Sequence, residues 1–296
     1  MNTAISTNLA AIDIGSNAAR ILIKSVENTN DAQHIKKLQF LRIPLRLGMD
    51  VFGSGEIGEE REEMLLRTMK IFRQLLILYD VKAYRICATS AFREAKNGSK
   101  VLKRVMKETK LRIDIISGEE EARTIRDNYS GDGNLLYMDV GGGSTELSLV
   151  CDGKVIAGRS FNIGTIRMLN ECVSPELWQE MQDTVLSLTK GVENVRIVGS
   201  GGNINKLYRL APKKERVKET LRVDTLSRLY TKLSALTVEQ RMIEYDLRPS
   251  RADVIVPAAQ LFLMVARLVG TDTILVPTVG LADGIINELA AKIGKE

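Results

Sequence analysis

Histidine is almost absent from this chain of 296 residues: His34, in the polar stretch NTNDAQHIKK, stands alone. A Ser-His-Asp triad, an HExxH zinc site and a histidine-rich di-metal phosphohydrolase centre each need histidine in a suitable setting, and the neighbours of His34 read as surface. Catalysis here is therefore left to carboxylates, arginines, hydroxyls, backbone amides and a hard metal ion. Cysteine is scarce too. Cys87, Cys151 and Cys172 stand far apart with no CxxC pair, which argues against structural zinc and for a reducing compartment. The opening MNTAISTNLAAIDIG has no basic region followed by an apolar core, so it does not read as a signal peptide. The most apolar run, VIVPAAQLFLMVARLVG, is short and carries Pro257, Gln260 and Arg267, so it does not read as a bilayer span. A cytoplasmic protein without a membrane partner is the expectation.

What is present describes an ordinary globular chain. Hydrophobic residues make up 44% and charged residues 27%. The length suits two domains or one large one. The net charge of +5 and a pI near 9.0 fit a polyanionic ligand without requiring one.

Apolar periodicity divides the chain into two similar runs. The first reads as strand (LAAIDIG), turn, strand (RILIKSV) and a third strand region (DAQHIKKLQFLRIPLRLG). A helix over 59–79, a strand in AYRICATS, a helix over 91–110, a strand in LRIDIIS and a helix after Ser117 follow. From Leu135 the pattern restarts with LLYMDVGGGSTELSLV, then a strand in KVIAGRSFNIG and a helix from Thr165. NVRIVGSGGNINKLYRL reads as strand, glycine turn and helix, and DTILVPTVGLADGIINELAAKI as a closing strand and helix. Aligning Asp13 with Asp139, an offset of 126 residues, lays AIDIGSNAARILI over YMDVGGGSTELSL. This echo predicts a duplicated α/β chain. The first domain is expected over 1–127, rejoined by the C-terminal helix 283–296, and the second over 128–282, with the boundary near the turn-rich NYSGDGN.

Three glycine turns, DIGSN, DVGGGST and VGSGGN, can expose successive backbone amides to an anion. Asp13 and Asp139 either start tight turns or, if the two halves face each other, converge on one Mg²⁺, an ion that accepts few protein ligands and keeps waters. In IISGEEEARTI, Ser117 and Glu120 have the spacing of a capping box, and Glu119 and Arg123 that of a helical ion pair. Glu121 has no such structural account and is a candidate for orienting water. Strand alternation puts Ser144, Glu146 and Ser148 on one face and Leu147 and Leu149 on the other. Glu146 is then either a solvated residue or an acid beside a metal. Arg93, just after a strand–helix junction, is either solvated or a two-pronged phosphate ligand. The basic cluster KKERVK is either a solvated face or a polyanion track.

The segments AAIDIGSNAARILI, ATSAFREAKNG, ISGEEEAR, MDVGGGSTEL, NIGTIRML, VGSGGN and RADVIVPAAQ occur in the order found in the Ppx/GppA family. The chain resembles these exopolyphosphatases and guanosine pentaphosphate phosphohydrolases over nearly its whole length. The family belongs to the actin, sugar kinase and heat-shock chaperone ATPase superfamily. The resemblance implies an α/β fold of two duplicated ribonuclease H-like (actin-like ATPase) domains with a cleft between them. It implies Mg²⁺-dependent hydrolysis of a terminal phosphoanhydride, with Mn²⁺ as a substitute ion. Inorganic polyphosphate or guanosine pentaphosphate would be the substrate, a homodimer the assembly, and nucleic acid no partner. By resemblance Glu121 activates the water, and Asp139 and Glu146 hold the metal and place that water, with Asp13 as a further ligand. Gly15, Ser16 and Asn17 match the first phosphate loop, Gly141, Gly142, Gly143, Ser144 and Thr145 the second, and Arg93 a phosphate contact. The chain departs from the pattern at Ala18, where the family carries a hydroxyl, and in VPAAQ, where it often has Pro-Gly. It reads as a short, two-domain member without the helical His-Asp domain of longer ones, which leaves processivity on long polyphosphate open. A non-hydrolytic sensor, or a sugar or acetate kinase relative keeping VGSGGN, are the rival readings.

Overall fold

The computed structural model describes residues 6–28, 33–127, 131–215, 217–277 and 279–293. Strand β1 (Ser6–Ile14) is an uninterrupted apolar run because both of its faces are covered: Leu9, Ala10, Ala11, Ile12 and Ile14 are fully buried. It pairs antiparallel with β2 (Ala19–Asn28), which pairs with β3 (Gln33–Ile43). Helices α1 (Leu47–Ser54) and α2 (Glu59–Leu78) follow, then β4 (Ala83–Ala88), which adds parallel to β1. Helices α3 (Ser90–Glu94) and α4 (Gly98–Thr109) lead to β5 (Asp114–Ile115). The sheet order is β3-β2-β1-β4-β5.

The same plan recurs. Helix α5 (Gly118–Arg126) precedes β6 (Asn134–Val140), β7 (Thr145–Cys151), β8 (Lys154–Phe161), α6 (Thr165–Leu169) and α7 (Pro175–Thr189). Then come β9 (Arg196–Ser200), α8 (Gly202–Leu210), β10 (Thr220–Arg222), α9 (Val223–Ser234), α10 (Val238–Glu244), α11 (Pro249–Ala252), α12 (Ile255–Val269) and β11 (Thr273–Leu275). The second sheet runs β10-β11-β9-β6-β7-β8, so β8-β7-β6-β9-β11 repeats the first order with β10 added at the edge. The duplicated α/β architecture expected from the echo is present. Helix α13 (Leu281–Ile293) packs on β1, β2 and β4, with Lys24 to Asp283 at 2.8 Å.

Contacts divide the chain into Met1–Ser117 with Leu281–Glu296, and Gly118–Gly280. Helix α5, which the sequence reading assigns to the first half, packs on β7 and β8 and so belongs to the second unit.

Two segments differ from the periodicity reading. The helix expected over 91–110 is broken, since Ala95 is extended at ψ 118°. Asn97 explains the break: its amide donates to Ile57 O at 2.8 Å and its carbonyl accepts from Ile57 N at 2.9 Å. A side chain that satisfies a distant backbone competes with helix continuation. The strand expected in LRIDIIS shrinks to two residues, which pair with Cys87 and Ala88 at the sheet edge.

The second core gathers around α12. Helices α11 and α12 together, Pro249–Val269, form a 21-residue stretch with an 18-residue window of mean hydropathy 1.8, long and apolar enough to cross a bilayer. That apolarity is used internally, because Ile255, Ala258, Ala259, Leu261, Phe262 and Val265 are all fully buried in this core. His34 is exposed, as expected, and the three cysteines are free. Phe262→Ala should cost about 3–5 kcal/mol by leaving a cavity that α12 cannot close. Chemical denaturation followed by circular dichroism checks this, and a loss under about 1 kcal/mol would mean that Phe262 is not a core anchor.

Candidate active site

The two Asp-bearing hairpins are the natural place to begin, because each ends its first strand in a glycine turn. In the first unit, Gly15 N donates to Ala18 O at 3.0 Å and closes the turn. The carbonyls of Ser16 and Asn17 accept from Gly48 N at 2.8 Å and Arg46 N at 3.0 Å. Peptide planarity then turns the following N–H groups, on Asn17 and Ala18, away from the start of α1. Arg46 reaches this geometry in the left-handed region at φ 56°. Ser16 and Ser90 share a hydroxyl–hydroxyl hydrogen bond of 2.7 Å. Arg93, one turn further along α3, donates to Ile116 O at 2.8 Å. The structure thus groups Gly15, Ser16 and Asn17 with the helix that carries Arg93.

In the second unit the turn is repeated at the same offset, with Gly141 N donating to Ser144 O at 2.9 Å. The carbonyls of the loop are again taken, here by the start of α6. Gly141 O accepts from Thr165 N at 3.0 Å and Gly142 O from Ile166 N at 2.8 Å, while Gly143 O accepts from Arg167 Nε at 2.6 Å. The N–H groups of Gly142, Gly143 and Ser144 therefore face the opposite way, as a concave set of donors suited to an anion. The loop and α6 touch backbone to backbone: a Cβ on Gly164 would lie 2.5 Å from Gly142 and Gly143. Thr145 is fully buried and its hydroxyl donates to Ile163 O at 2.6 Å. That hydroxyl anchors the loop from below and is spent on the protein. Arg167, 8% exposed, was not singled out from sequence, nor was its role as a prop for Gly143. Its only signal was its place in NIGTIRML.

Sheet register gathers the acids. Asp139 pairs across the strands with Glu146, Glu146 with Ser160, and Asp139 on its other side with Ser200. One row on one face thus reads Ser200, Asp139, Glu146, Ser160. Two carboxylates directly opposite, with Cβ atoms roughly 5 Å apart, repel unless a cation or proton intervenes. The third glycine turn closes on the same place: Gly201 has φ +99°, and a Cβ there would lie 3.2 Å from Asp139 Oδ1. Arg251 lies against that turn, donating to Asn203 Oδ1 and sitting where a Gly202 side chain would be. Glu146 is 3% exposed and accepts from Ser160 Oγ at 3.0 Å. Beside it is a cavity of about 260 Å³ lined by Glu119, Ala122, Arg126, Glu146, Ser148 and Ser160, among others. Glu119, Ala122 and Arg126 form one face of α5; Glu121, partly exposed, lies on another.

The donor set fits a hard divalent cation. Mg²⁺ takes one or two carboxylates and fills its other positions with water and phosphate oxygens. Asp139 and Glu146 supply such a pair, and no group of three or more His, Cys, Asp or Glu side chains that would suit a closed cage forms among the described residues. Asp13 differs from Asp139 in its cross-strand partner. It faces Arg20, whose guanidinium lies 2.6 Å from Asp13 Oδ2. Burial pushes the Asp13 carboxyl above its ordinary value, and the charge and hydrogen bond of Arg20 offset part of that.

The model of the Ppx/GppA phosphatase family matches residues 26–293. Exopolyphosphatase 1 of Mycobacterium tuberculosis is 26% identical over 301 residues, covering 94% of this chain and 87% of that protein. A bifunctional 3-dehydroquinate synthase/phosphatase of Fusobacterium nucleatum is 35% identical over 168 residues; the match spans 54% of this chain and only 25% of that protein. Among solved structures, an exopolyphosphatase from Cytophaga hutchinsonii superposes with a TM-score of 0.81 at 25% identity, covering 97% of this chain and 98% of that one. A Ppx/GppA family member from Aquifex aeolicus, at 24% identity and TM-score 0.75 over 98% and 99% of the two chains, shares the fold.

The Asp13 environment has a pH signature. The folded state holds the Asp13 proton more tightly than the unfolded chain does. Its contribution to stability is therefore complete below the unfolded value near 3.8 and is lost as pH rises through the raised folded value. Relative to Asp13→Asn, the wild type should lose thermal stability as pH rises from about 3 to about 8. Arg20, with its side chain 31% exposed, stays solvated in the variant. A pH-independent difference in melting temperature between the two proteins would contradict this.

Proposed function

The chain belongs to the Ppx/GppA phosphatase family, and we propose that it is an exopolyphosphatase, releasing orthophosphate from the terminal phosphoanhydride of inorganic polyphosphate with Mg²⁺ as cofactor. The observation that carries this reading is the Asp139–Glu146 pair set beside a glycine loop whose amide hydrogens face outward. Mg²⁺, when bound, neutralises phosphate charge and polarises the bond to be broken. Asp139 and Glu146 hold it, and Mn²⁺ meets the same ligand demands. The amides of Gly142, Gly143 and Ser144 cradle phosphate oxygens and stabilise charge that develops during transfer. In the first unit, Gly15, Ser16, Asn17 and Arg93 are the corresponding phosphate contacts.

Glu121 orients the attacking water and takes its proton as the phosphorus–oxygen bond forms. It sits in the first turn of α5 beside Glu119 and Glu120, within reach of solvent. Three acids in a first helical turn sit favourably with respect to the helix dipole, so the helix tolerates a carboxylate there. Asp13 serves the first loop mainly through Arg20, which already balances its charge. The three free cysteines suit a reducing, cytoplasmic setting, and the working form is expected to be a homodimer.

The test is phosphate release from short polyphosphate, long polyphosphate and guanosine pentaphosphate, each with Mg²⁺ and with chelator. Release from polyphosphate that needs the metal is the expected result. Preference for the guanosine nucleotide would move the substrate to the family's other activity, and tight polyphosphate binding without turnover would make the protein a sensor. Glu121→Ala should lower the rate by roughly 10²–10⁴-fold with the circular dichroism spectrum unchanged. An undiminished rate would remove Glu121 from the mechanism.

A further inference from the structure

Ser160 lies outside the segments that carry the family resemblance, yet it lies against two of the three elements that carry the acids, β7 and α5. It is the cross-strand partner of Glu146 in the β7–β8 pair, and its hydroxyl donates to Glu146 Oε1 at 3.0 Å. It is also the seat of helix α5. A Cβ added to Gly118, the first residue of that helix, would lie 2.7 Å from Ser160 Oγ, 2.9 Å from Ser160 Cβ and 3.5 Å from Glu146 Oε1. Helix α5 can come this close only because its first residue has no side chain. Glu121 follows three residues later on the same rigid helix.

We propose that Ser160 is a positioning residue that sets Glu146 and the start of the Glu121 helix in one frame. The proposal rests on the hydrolase reading of this unit. Glu146 is almost fully buried, so its carboxylate lacks the solvent that would otherwise hold it in place. A neutral hydroxyl donating to Oε1 restricts the rotamer of the carboxylate that the proposed function gives to the metal. The charged partner that plays this role for Asp13 is Arg20, at the same offset from its hairpin as Glu146. The Ser160 hydroxyl holds the acid and adds no charge of its own.

Ser148 supplies an internal comparison. It lies two residues along β7, is 3% exposed and lines the same cavity as Ser160. A generic loss of one hydroxyl from this region would therefore show in Ser148→Ala as well.

The experiment measures Mn²⁺ binding to the substrate-free chain, from the electron paramagnetic resonance signal of the free ion, alongside the Mg²⁺ dependence of phosphate release. Ser160→Ala should weaken Mn²⁺ binding by roughly tenfold or more, the usual effect of removing a group that orients a metal ligand. The Mg²⁺ concentration for half-maximal release should rise by a similar factor. Ser148→Ala should leave both values as in the wild type. Gly118→Ala, whose Cβ would crowd Ser160 and push the helix off its seat, should lower kcat at saturating Mg²⁺. Wild-type metal affinity and wild-type Mg²⁺ dependence in Ser160→Ala would overturn the role assigned to Ser160, and an unchanged kcat in Gly118→Ala would overturn the coupling to α5. A wild-type chain that neither binds Mn²⁺ nor releases phosphate would instead overturn the hydrolase reading, and this inference with it.

Discussion

The sign of the charge across the strand from each hairpin aspartate is the constraint on which the rest turns. Asp13 and Asp139 occupy the same step of two copies of one hairpin, and both turns close through the same glycine hydrogen bond. Their partners differ. Across the strand Asp13 faces a cation, Arg20, and Asp139 faces a second carboxylate, Glu146. The rows that contain them diverge accordingly. The first reads Cys87, Asp13, Arg20, Arg42 and carries a net positive charge, the second Ser200, Asp139, Glu146, Ser160 and a net negative one. The backbone geometry is shared, and the side chains at matched positions give the two rows formal charges of opposite sign.

Loop geometry is enforced from outside the loops. In both units the carbonyls of the glycine turn are taken by the opening residues of a short helix, α1 in one and α6 in the other. Because a trans peptide points its carbonyl and amide in opposite directions, capturing the carbonyls orients the amides without any ligand present. Donors held in this way would need little reordering to bind an anion. Gly164 is needed for a second reason than flexibility: a side chain there would occupy the space of Gly142 and Gly143.

Much of this was legible in the sequence, for identifiable reasons. Both hairpins are strand–glycine–strand units whose alternation is local, so the duplication and the face shared by Glu146 and Ser148 followed from spacing alone. What stayed hidden depends on contacts between residues far apart in the chain. Asn97 breaks a helix by bonding to Ile57, forty residues earlier, and no periodicity announces that. Thr145 belongs to the loop motif, yet its hydroxyl is committed to Ile163. Arg167 carries only its place in NIGTIRML as a local mark of function, and Ser160 carries none. Their importance comes from the atoms they reach, Gly143 O and Glu146 Oε1. The apolar run at α12 reads as too short for a membrane; α11 and α12 together are longer, and the burial of α12 accounts for its composition.

A stability argument explains why the acidic row persists. Like charges opposite each other on a sheet cost stability, and a buried carboxylate costs more. Selection for folding alone would replace Glu146 with an apolar residue, or with an arginine as the first hairpin has done at Arg20. Keeping the acid next to Asp139, at 3% exposure, is a local violation of the rules that the rest of the sheet obeys. Such violations concentrate where chemistry needs them. Ser160 fits the same logic, since its hydroxyl donates to Glu146 and adds no positive charge to the row. A cation that binds only the folded row returns the lost stability by mass action, so ligand binding and folding of this unit are linked. In the first unit Arg20 supplies part of that compensation within the chain.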